Sequence, residues 1–212
     1  WIAAHAGRAA VDGEAAEVAD LDAVATGQRV GHRVQDGLDR ELGVALGFRV
    51  FVLPQVTIDG EVVSTTRIRE LLDTGIVVAA SLLLGRNHIT TGIIEHGLKI
   101  GRTIGFPTAN MSRDCEGYLP LDGVYAGWLY VDDQKYPAAH SVGINETFQA
   151  VPRLVESFVL DETDLDLYDK VVSLEYVQFI RPAAKFNGVE DLVEEINRDI
   201  DKIRVALEIV KP

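Results

Sequence analysis

The sequence predicts an α/β segment over residues 1–85 and an antiparallel β-structure, a barrel or a sandwich, over residues 86–212, closed by a C-terminal helix. In the first part helical periodicity alternates with short β-rich runs, which is typical of an α/β unit. After Asn87 the pattern changes to short strands at regular spacing, separated by Gly, Asp and Pro turns. A chain of 212 residues is long enough for one large domain or two modest ones.

The elements of the first part follow from periodicity and turn residues. Residues 1–26 are Ala-rich and acidic and favour a helix with a weak apolar stripe. A second helix, ending near Gly47, is predicted by leucines at i, i+4 and i+8, namely Leu38, Leu42 and Leu46. A β-rich run over 48–52 follows, and residues 56–63 favour two extended segments around the turn Asp59-Gly60.

The segment from Ser64 to Arg69 can be interpreted in two ways. Ser64 or a neighbouring threonine can cap a helix, and Gly75 stands where a helix C-terminus is expected. Free N–H groups at that helix start, beside Arg67 and Arg69, would form an anion site. A well-capped surface helix explains the same residues, so spacing alone leaves both interpretations open.

The second part shows five strand-like runs and a terminal helix. The predicted strands are 89–95, 124–131, 138–144, 153–160 and 171–179. A capping box of Asn187 and Glu190 would start the helix. One apolar face of that helix would pack on the β-structure through Leu192, Ile196, Ile203 and Leu207.

A glycine-rich stretch over residues 101–110 is the first candidate site. Gly101 and Gly105 flank basic and hydroxyl side chains, and glycines let a backbone approach phosphate oxygens closely. The Thr108 hydroxyl is a hard ligand for Mg²⁺, and the Asn110 amide can bind a metal, a phosphate or local backbone. The stretch fits neither the P-loop nor the Rossmann glycine pattern. The alternative is an ordinary turn that connects two elements and has no function.

Glu156 is the second candidate. Alternation along the strand 153–160 groups it with Leu154, Phe158 and Leu160, and we expect this face to point into the core. A carboxylate there is costly unless it has a partner or a task. The functional interpretation is a general base whose pKa is tuned by apolar surroundings. The structural alternatives are a register bulge or an ion pair with a basic residue such as Arg181.

Composition restricts the class of protein. A net charge of −13 argues against general nucleic-acid binding, although not against ATP. No apolar run approaches the roughly 20 residues that span a bilayer, and no signal-peptide pattern opens the chain, so no membrane association is expected. The single Cys115 fits a reducing cytoplasm, which is the location we expect.

The motifs of the second part resemble those of riboflavin kinases, in the same order along residues 87–199. They are G-R at 101–102 with G-F-P-T-A-N at 105–110, G-V-Y-A-G at 123–127, S-V-G-I-N-E-T-F at 141–148, V-E at 155–156 and F-I-R-P at 179–182. Glu146 stands where the family usually has proline. The resemblance implies a β-barrel that uses ATP and Mg²⁺ to convert riboflavin to FMN, with ADP released.

The same resemblance implies residue roles. Thr108 and Asn110 would hold Mg²⁺, and Glu156 would be the catalytic base. The ATP phosphates would be bound by these two metal ligands together with Gly101, Arg102, Thr103, Gly105 and Phe106. Apart from the resemblance, the flavin ring needs an apolar slot, which the start of the C-terminal helix at Val189 and Glu190 would border.

The end of the first part resembles another module. V-S-T-T-R-I-R-E-L-L at 63–72, followed by Leu84-Gly85-Arg86, resembles the end of the Rossmann-like nucleotidyltransferase module of bacterial bifunctional FAD synthetases. The resemblance implies a partial FMN adenylyltransferase-like module over 1–85, with a residual nucleotide site at Ser64, Arg67 and Arg69.

The module's H-x-G-H-type loop has no counterpart between Trp1 and Ile58, so this chain is expected to make FMN but not FAD. Two alternatives stay open. One is a fragment of a bifunctional FAD synthetase, and the other is a non-catalytic flavin-binding regulatory protein.

Overall fold

A computed structural model of the protein describes residues 40–51, 54–97, 100–143, 153–162, 164–186 and 188–210. The chain divides into two compact units, residues 1–56 and 57–212. In the first unit, helix α1 covers residues 40–46 and ends at Gly47, whose φ of 76° is left-handed. This confirms the end of the predicted second helix, whereas the predicted helix over 1–26 lies outside the described residues.

The sequence predicted a β-strand over residues 48–52. For the described residues 48–51 this prediction is wrong, because they form no strand. A strand needs a hydrogen-bonded neighbour, and none occurs in the described part of the first unit, residues 40–51 and 54–56. The second unit opens with the predicted hairpin, β1 (Thr57–Ile58) and β2 (Glu61–Val62). Its two turn residues, Asp59 and Gly60, both have positive φ, as a tight hairpin turn requires.

Two helices follow the hairpin. Helix α2 (Thr65–Asp73) is capped by Ser64, whose Oγ accepts a hydrogen bond from the Arg67 amide at 3.2 Å, and helix α3 (Val77–Leu84) ends at a left-handed Gly85. Their buried side chains belong to the same core as the β-structure: Leu71, Leu72, Val77 and Ala80. The domain boundary predicted from the sequence, between residues 85 and 86, stays a prediction.

The rest of the chain is a closed six-stranded antiparallel barrel, which decides between the barrel and the sandwich. Its strands are β3 (His88–Glu95), β4 (Thr108–Met111), β5 (Gly123–Val131), β6 (Gln134–Gly143), β7 (Leu154–Val159) and β8 (Val171–Pro182). They follow the order β3-β4-β7-β6-β5-β8, and β8 pairs back with β3. Strand β4 and the four-residue helix α4 (Ile100–Thr103) lie where the sequence predicted only a loop.

The barrel interior is apolar with a few paired polar groups. Tyr125, Leu129, Leu174 and Tyr176 are fully buried there. His140 is also fully buried, and its Nδ1 lies 2.9 Å from the Oγ of Ser157 on the neighbouring strand. Burial lowers the pKa of His140 to about 4, so this imidazole is neutral at physiological pH.

Helix α5 (Val189–Ala206) packs on the outside of β5, β6 and β8. Of the predicted apolar face, Ile203 and Leu207 pack against Ala126 and Leu160, whereas Leu192 and Ile196 are half-buried and lie outside this cluster. The residue before the first turn is Gly188, which has no side chain to cap the helix, and Asn187 of the predicted capping box lies outside the described residues. Across the described residues, no helix is both long enough and apolar enough to cross a membrane.

Ion pairs of two arginines, Arg181 and Arg204, hold the helix on the barrel. Arg181, near the end of β8, places its Nε 2.8 Å from Oδ2 of Asp199 and 3.7 Å from Oε1 of Glu195. Arg204 pairs with Asp161, which follows the end of β7. The helix is thereby held at two separate points of the barrel wall.

Candidate active site

Four polar side chains form a row on the outer face of the barrel. Asn110 on β4 lies directly opposite Glu156 on β7, and Glu156 lies directly opposite Ser141 on β6. Glu95, on β3, lies opposite Asn110 on its other side. Directly opposed residues of antiparallel strands have Cβ atoms about 4.5–5.5 Å apart. The row therefore brings an amide, two carboxylates and a hydroxyl from four neighbouring strands into one continuous surface.

Thr108 belongs to the same surface. It precedes Asn110 by two residues on β4, so both side chains point to the same face, and it lies opposite Phe158. Thr108, Asn110 and Glu156, which the sequence singled out from motifs far apart in the chain, are thus gathered on one face. The sequence treated the first two as loop residues, because a four-residue strand is too short to show an alternating pattern.

The orientation predicted for Glu156 was wrong. Along β7 the buried residues are Val155, Ser157 and Val159, so these line the interior and Glu156 points outward. The apolar Phe158 beside it does not mark the core face. It packs in the cluster under α5, together with Leu160, which explains why the outer face of this strand is also apolar.

The Glu156 carboxylate is half-buried and has no ion pair or hydrogen bond to any side chain or backbone group of the described residues. Burial raises its pKa above the ordinary glutamate value. The proposed ion pair with Arg181 does not form, because that guanidinium is bound to Asp199 and Glu195. An unpaired, partly desolvated carboxylate is a group poised to accept a proton.

The glycine-rich stretch forms a closed turn beside this face. The amide of Phe106 donates to the carbonyl of Gly101 at 2.8 Å, and a Cβ on Gly101 would lie only 2.2 Å from the Phe106 oxygen. Only glycine permits this approach. The amides of Ile104 and Gly105 also donate within the turn, so in this conformation they do not point at a ligand. The ring of Phe106 meets that of Phe158 edge-on, with centroids 5.5 Å apart.

The two predicted metal ligands lie against glycine backbone. A Cβ on Gly97 would lie 2.3 Å from Nδ2 of Asn110, and one on Gly101 would lie 3.4 Å from Oγ1 of Thr108. A hydroxyl and an amide oxygen are hard donors, and Mg²⁺ usually takes few protein ligands besides substrate phosphates. The donor set and the side-chain-free cradle fit that ion. Among the described residues no group of three or more His, Cys, Asp or Glu could hold a metal.

A small cavity of about 50 Å³ opens beside Thr108, between it and the segment that follows β7. Arg102, Ser157, Glu162 and Tyr168 contribute to its wall. This space holds about one or two water molecules and is far too small for a nucleotide. Arg102 and Thr108 both line this cavity, and their role in binding phosphate stays a prediction.

The predicted residual nucleotide site looks different from an open anion site. The Ser64 hydroxyl is occupied by capping α2. The Arg67 guanidinium lies 3.7 Å from a carboxylate oxygen of Glu61 and 3.5 Å from one of Glu70, which offset its charge. Arg69 lies over the ring of Tyr118. The capped surface helix accounts for these contacts, and a nucleotide role for the three residues stays a prediction.

The predicted flavin contacts Val189 and Glu190 form the first turn of α5, where both are exposed. Their role stays a prediction. Sequence reasoning did not single out Glu95 or Ser141. Ser141 lies within the S-V-G-I-N-E-T-F motif, but only the strand register shows that it faces Glu156.

A hydroxyl, an amide and an unpaired carboxylate beside a glycine-rich turn are typical of a phosphate-transfer site. Comparison with known proteins agrees: the model of the riboflavin kinase family matches residues 84–207. The chain belongs to the riboflavin kinase family.

Relatives and solved structures extend the comparison. A bifunctional riboflavin kinase/FMN adenylyltransferase from Listeria monocytogenes is 36% identical over 153 residues, which are 72% of this chain and 48% of that protein. Its Bacillus subtilis namesake is 32% identical over 166 residues, covering 77% and 51%. The chain thus spans about half the length of these curated relatives. A crystal structure described as a macrolide-efflux protein from Streptococcus pneumoniae is 35% identical, with a TM-score of 0.67, covering 77% of this chain and 54% of that one.

Proposed function

We propose that this chain transfers the γ-phosphoryl group of ATP to the 5′-hydroxyl of riboflavin, giving FMN and ADP. The observation that carries the proposal is the register that sets Asn110 opposite Glu156, with Thr108 on the same face. Phosphoryl transfer requires chiefly positioning and charge neutralisation, so a face that joins metal donors to a proton acceptor fits it. Membership of the riboflavin kinase family supports the choice of acceptor.

Thr108 and Asn110 would hold Mg²⁺ through their side-chain oxygens. The ion would neutralise charge on the ATP phosphates, as metals do in phosphoryl transfer. Gly101 and Gly105 let the turn over 101–106 close beside these two side chains, and Arg102 adds a positive charge there. Thr103 and Phe106 complete the phosphate-binding set, with Phe106 seated against Phe158.

Glu156 would orient the riboflavin 5′-hydroxyl and accept its proton as the oxygen attacks. A carboxylate whose pKa is raised by burial is a stronger base than an exposed one, which suits proton transfer near neutral pH. Because no described group is bonded to the carboxylate, its oxygens are available to the substrate.

Three further parts of the proposal concern the flavin ring, residues 1–85 and the location of the protein. The flavin ring would border the first turn of α5 at Val189 and Glu190. Residues 1–85 would be part of a Rossmann-like FMN adenylyltransferase module, in line with the names of the bifunctional relatives. A cytoplasmic location, where ATP is available, belongs to the same proposal.

The test is an assay of the purified chain with riboflavin and ATP, with flavins separated by chromatography. We expect FMN in the presence of Mg²⁺ and none when the ion is chelated. The Glu156→Gln variant is the internal control for contaminating kinases, since it should lower the rate. If riboflavin is bound with no FMN formed under any metal condition, the non-catalytic flavin-binding alternative replaces this proposal.

A further inference from the structure

Ser141 occupies the end of the polar row that lies farthest from the metal donors. On β6 the buried residues His140 and Val142 point inward, so the intervening Ser141 points outward, where it is exposed. Its strand partner is Glu156, and Glu156 in turn is the partner of Asn110. Ser141 therefore stands one strand beyond the carboxylate, on the side opposite to Asn110.

The order of groups along the row gives a direction to the reaction. In phosphoryl transfer the attacking oxygen and the leaving oxygen lie roughly in line on opposite sides of phosphorus. The donor phosphates are assigned to the β4 side, at Thr108 and Asn110, and the attacking hydroxyl is assigned to Glu156. The remainder of the acceptor then extends away from β4, which is toward β6 and Ser141.

Packing around Ser141 narrows the path of the acceptor. Ala139 lies two residues before Ser141 on β6, and its strand partner Phe158 lies two residues after Glu156 on β7. Both pack in the cluster beneath α5, so the outer face is covered there. At Ser141 and Glu156 the face is less covered, since the first is exposed and the second is half-buried. A chain of hydroxyl groups leaving Glu156 toward β6 meets Ser141 before it meets the helix.

We propose that Ser141 is a positioning residue for the acceptor, and that its hydroxyl forms a hydrogen bond with the ribityl hydroxyl next to the reactive one. This inference rests on the proposed riboflavin kinase activity. A serine hydroxyl both donates and accepts, which suits a polyol whose neighbouring hydroxyl does the same. The contact is made in the ground state as well as in the transition state, so it supports binding of the flavin rather than the chemical step.

The experiment compares Ser141→Ala with Ser173→Ala as a matched control. Ser173 also lies on the barrel wall, on β8, where its Oγ is 2.9 Å from that of Thr91, and β8 does not neighbour β7. We expect Ser141→Ala to raise the KM and Kd for riboflavin by about 3- to 10-fold, the effect of one neutral hydrogen bond, with kcat and the KM for ATP unchanged. Ser141→Thr, which keeps the hydroxyl, should restore binding.

A second acceptor makes the test specific to the proposed contact. With a flavin that lacks the ribityl 4′-hydroxyl, wild type and Ser141→Ala should bind equally, because the partner group is gone from the substrate. Riboflavin binding is followed by fluorescence quenching, which does not depend on turnover. If Ser141→Ala and Ser173→Ala have the same Kd for riboflavin, or if Ser141→Ala raises the Kd for both flavins equally, Ser141 has no such role. If the wild type itself makes no FMN, it is the proposed function that fails.

Discussion

Asn110 and Glu156 face each other across the β4–β7 strand pair, and this pairing connects the two halves of the candidate site. Asn110 follows the glycine-rich turn by only a few residues, whereas Glu156 lies 46 positions further along the chain. Neither side chain depends on a flexible segment for its position, because both belong to paired strands of a closed barrel. The predictions below follow from this arrangement and from the packing around it.

Replacing Thr108 by alanine should remove one of the two donors assigned to Mg²⁺. Loss of groups that merely support a metal ligand usually costs about 10- to 100-fold in affinity or activity, so we expect at least that loss in the rate of FMN formation. The rate should be measured as a function of Mg²⁺ concentration. Thr108→Ser keeps the oxygen and should remain close to wild type. Equal behaviour of the alanine and serine variants would remove Thr108 from the metal site.

Replacing Glu156 by glutamine keeps the volume and loses the proton acceptor. General bases accelerate reactions by roughly 10²–10⁴-fold. Because the transition state of phosphoryl transfer is loose, it depends less on the base, and we expect kcat to fall by about 10²-fold. Because a neutral amide is easier to bury than a carboxylate, the free energy of unfolding should stay equal or rise. Glu116→Gln, at an exposed carboxylate, is the matched control.

The pH profile gives an independent reading of Glu156. Burial raises the pKa of this carboxyl, so the group becomes protonated at a higher pH than an exposed glutamate does. Wild-type kcat/KM should therefore begin to fall on the acid side at a correspondingly higher pH, and the Glu156→Gln variant should lack this limb. A glutamine variant that retains the acid limb would assign the limb to another group.

Because of His140, the free energy of unfolding should decrease as the pH is lowered. Its pKa is about 4 in the folded protein and near 6.5 when exposed, so below pH 6.5 the unfolded chain takes up the proton first. The stabilisation is complete above pH 6.5 and is lost as the pH falls to 4, and a pKa difference of this size corresponds to about 3 kcal/mol. Urea unfolding of wild type and His140→Gln at several pH values tests this. The glutamine variant should show a shallower slope, and an unchanged slope would contradict the assignment.

The ion pair between Arg181 and Asp199 should matter more than its exposed neighbours. The two side chains are 16% and 5% exposed, and loss of one partner leaves the other charge buried and unpaired. We expect Arg181→Leu to lower the free energy of unfolding by about 2–3 kcal/mol, because the buried Asp199 carboxylate and its neighbour Glu195 then lose the cation between them. Arg198→Ala, which breaks exposed pairs with Glu194 and Glu195, should cost less than about 1 kcal/mol. Similar losses in both variants would mean that burial of the Arg181 pair contributes nothing.

Incubation of this chain with FMN and MgATP should yield no FAD. Adenylyl transfer needs donors and cations held at fixed positions around the α-phosphate and the leaving pyrophosphate. Ser64 is used as a helix cap, and the charge of Arg67 is offset by Glu61 and Glu70. Formation of FAD is followed by the change in flavin fluorescence. Sustained production would show that a complete adenylylation site exists in this chain.

The sequence predicted the barrel, its C-terminal helix and most strand positions, because turn residues and alternation are local signals. Its motifs also singled out Thr108, Asn110 and Glu156, which the strand register brings to one face. It assigned Glu156 to the wrong face of β7, since both faces of that strand carry apolar residues, one for the core and one for α5. It missed Ser141 as a neighbour of Glu156, because strand order in a barrel is set by pairings between distant segments.

The opposite orientations of Glu156 and Ser157 on β7 have a consequence for folding fidelity. A one-residue slip of a strand exchanges its two faces. In β7 a slip would turn the Glu156 carboxylate into the barrel lumen, toward the position where Ser157 now meets the neutral His140, and would expose Val155 and Val159. Burying an unpaired charge there is far more costly than burying a hydroxyl. The residue proposed as the base therefore also penalises mispairing of the strand that carries it.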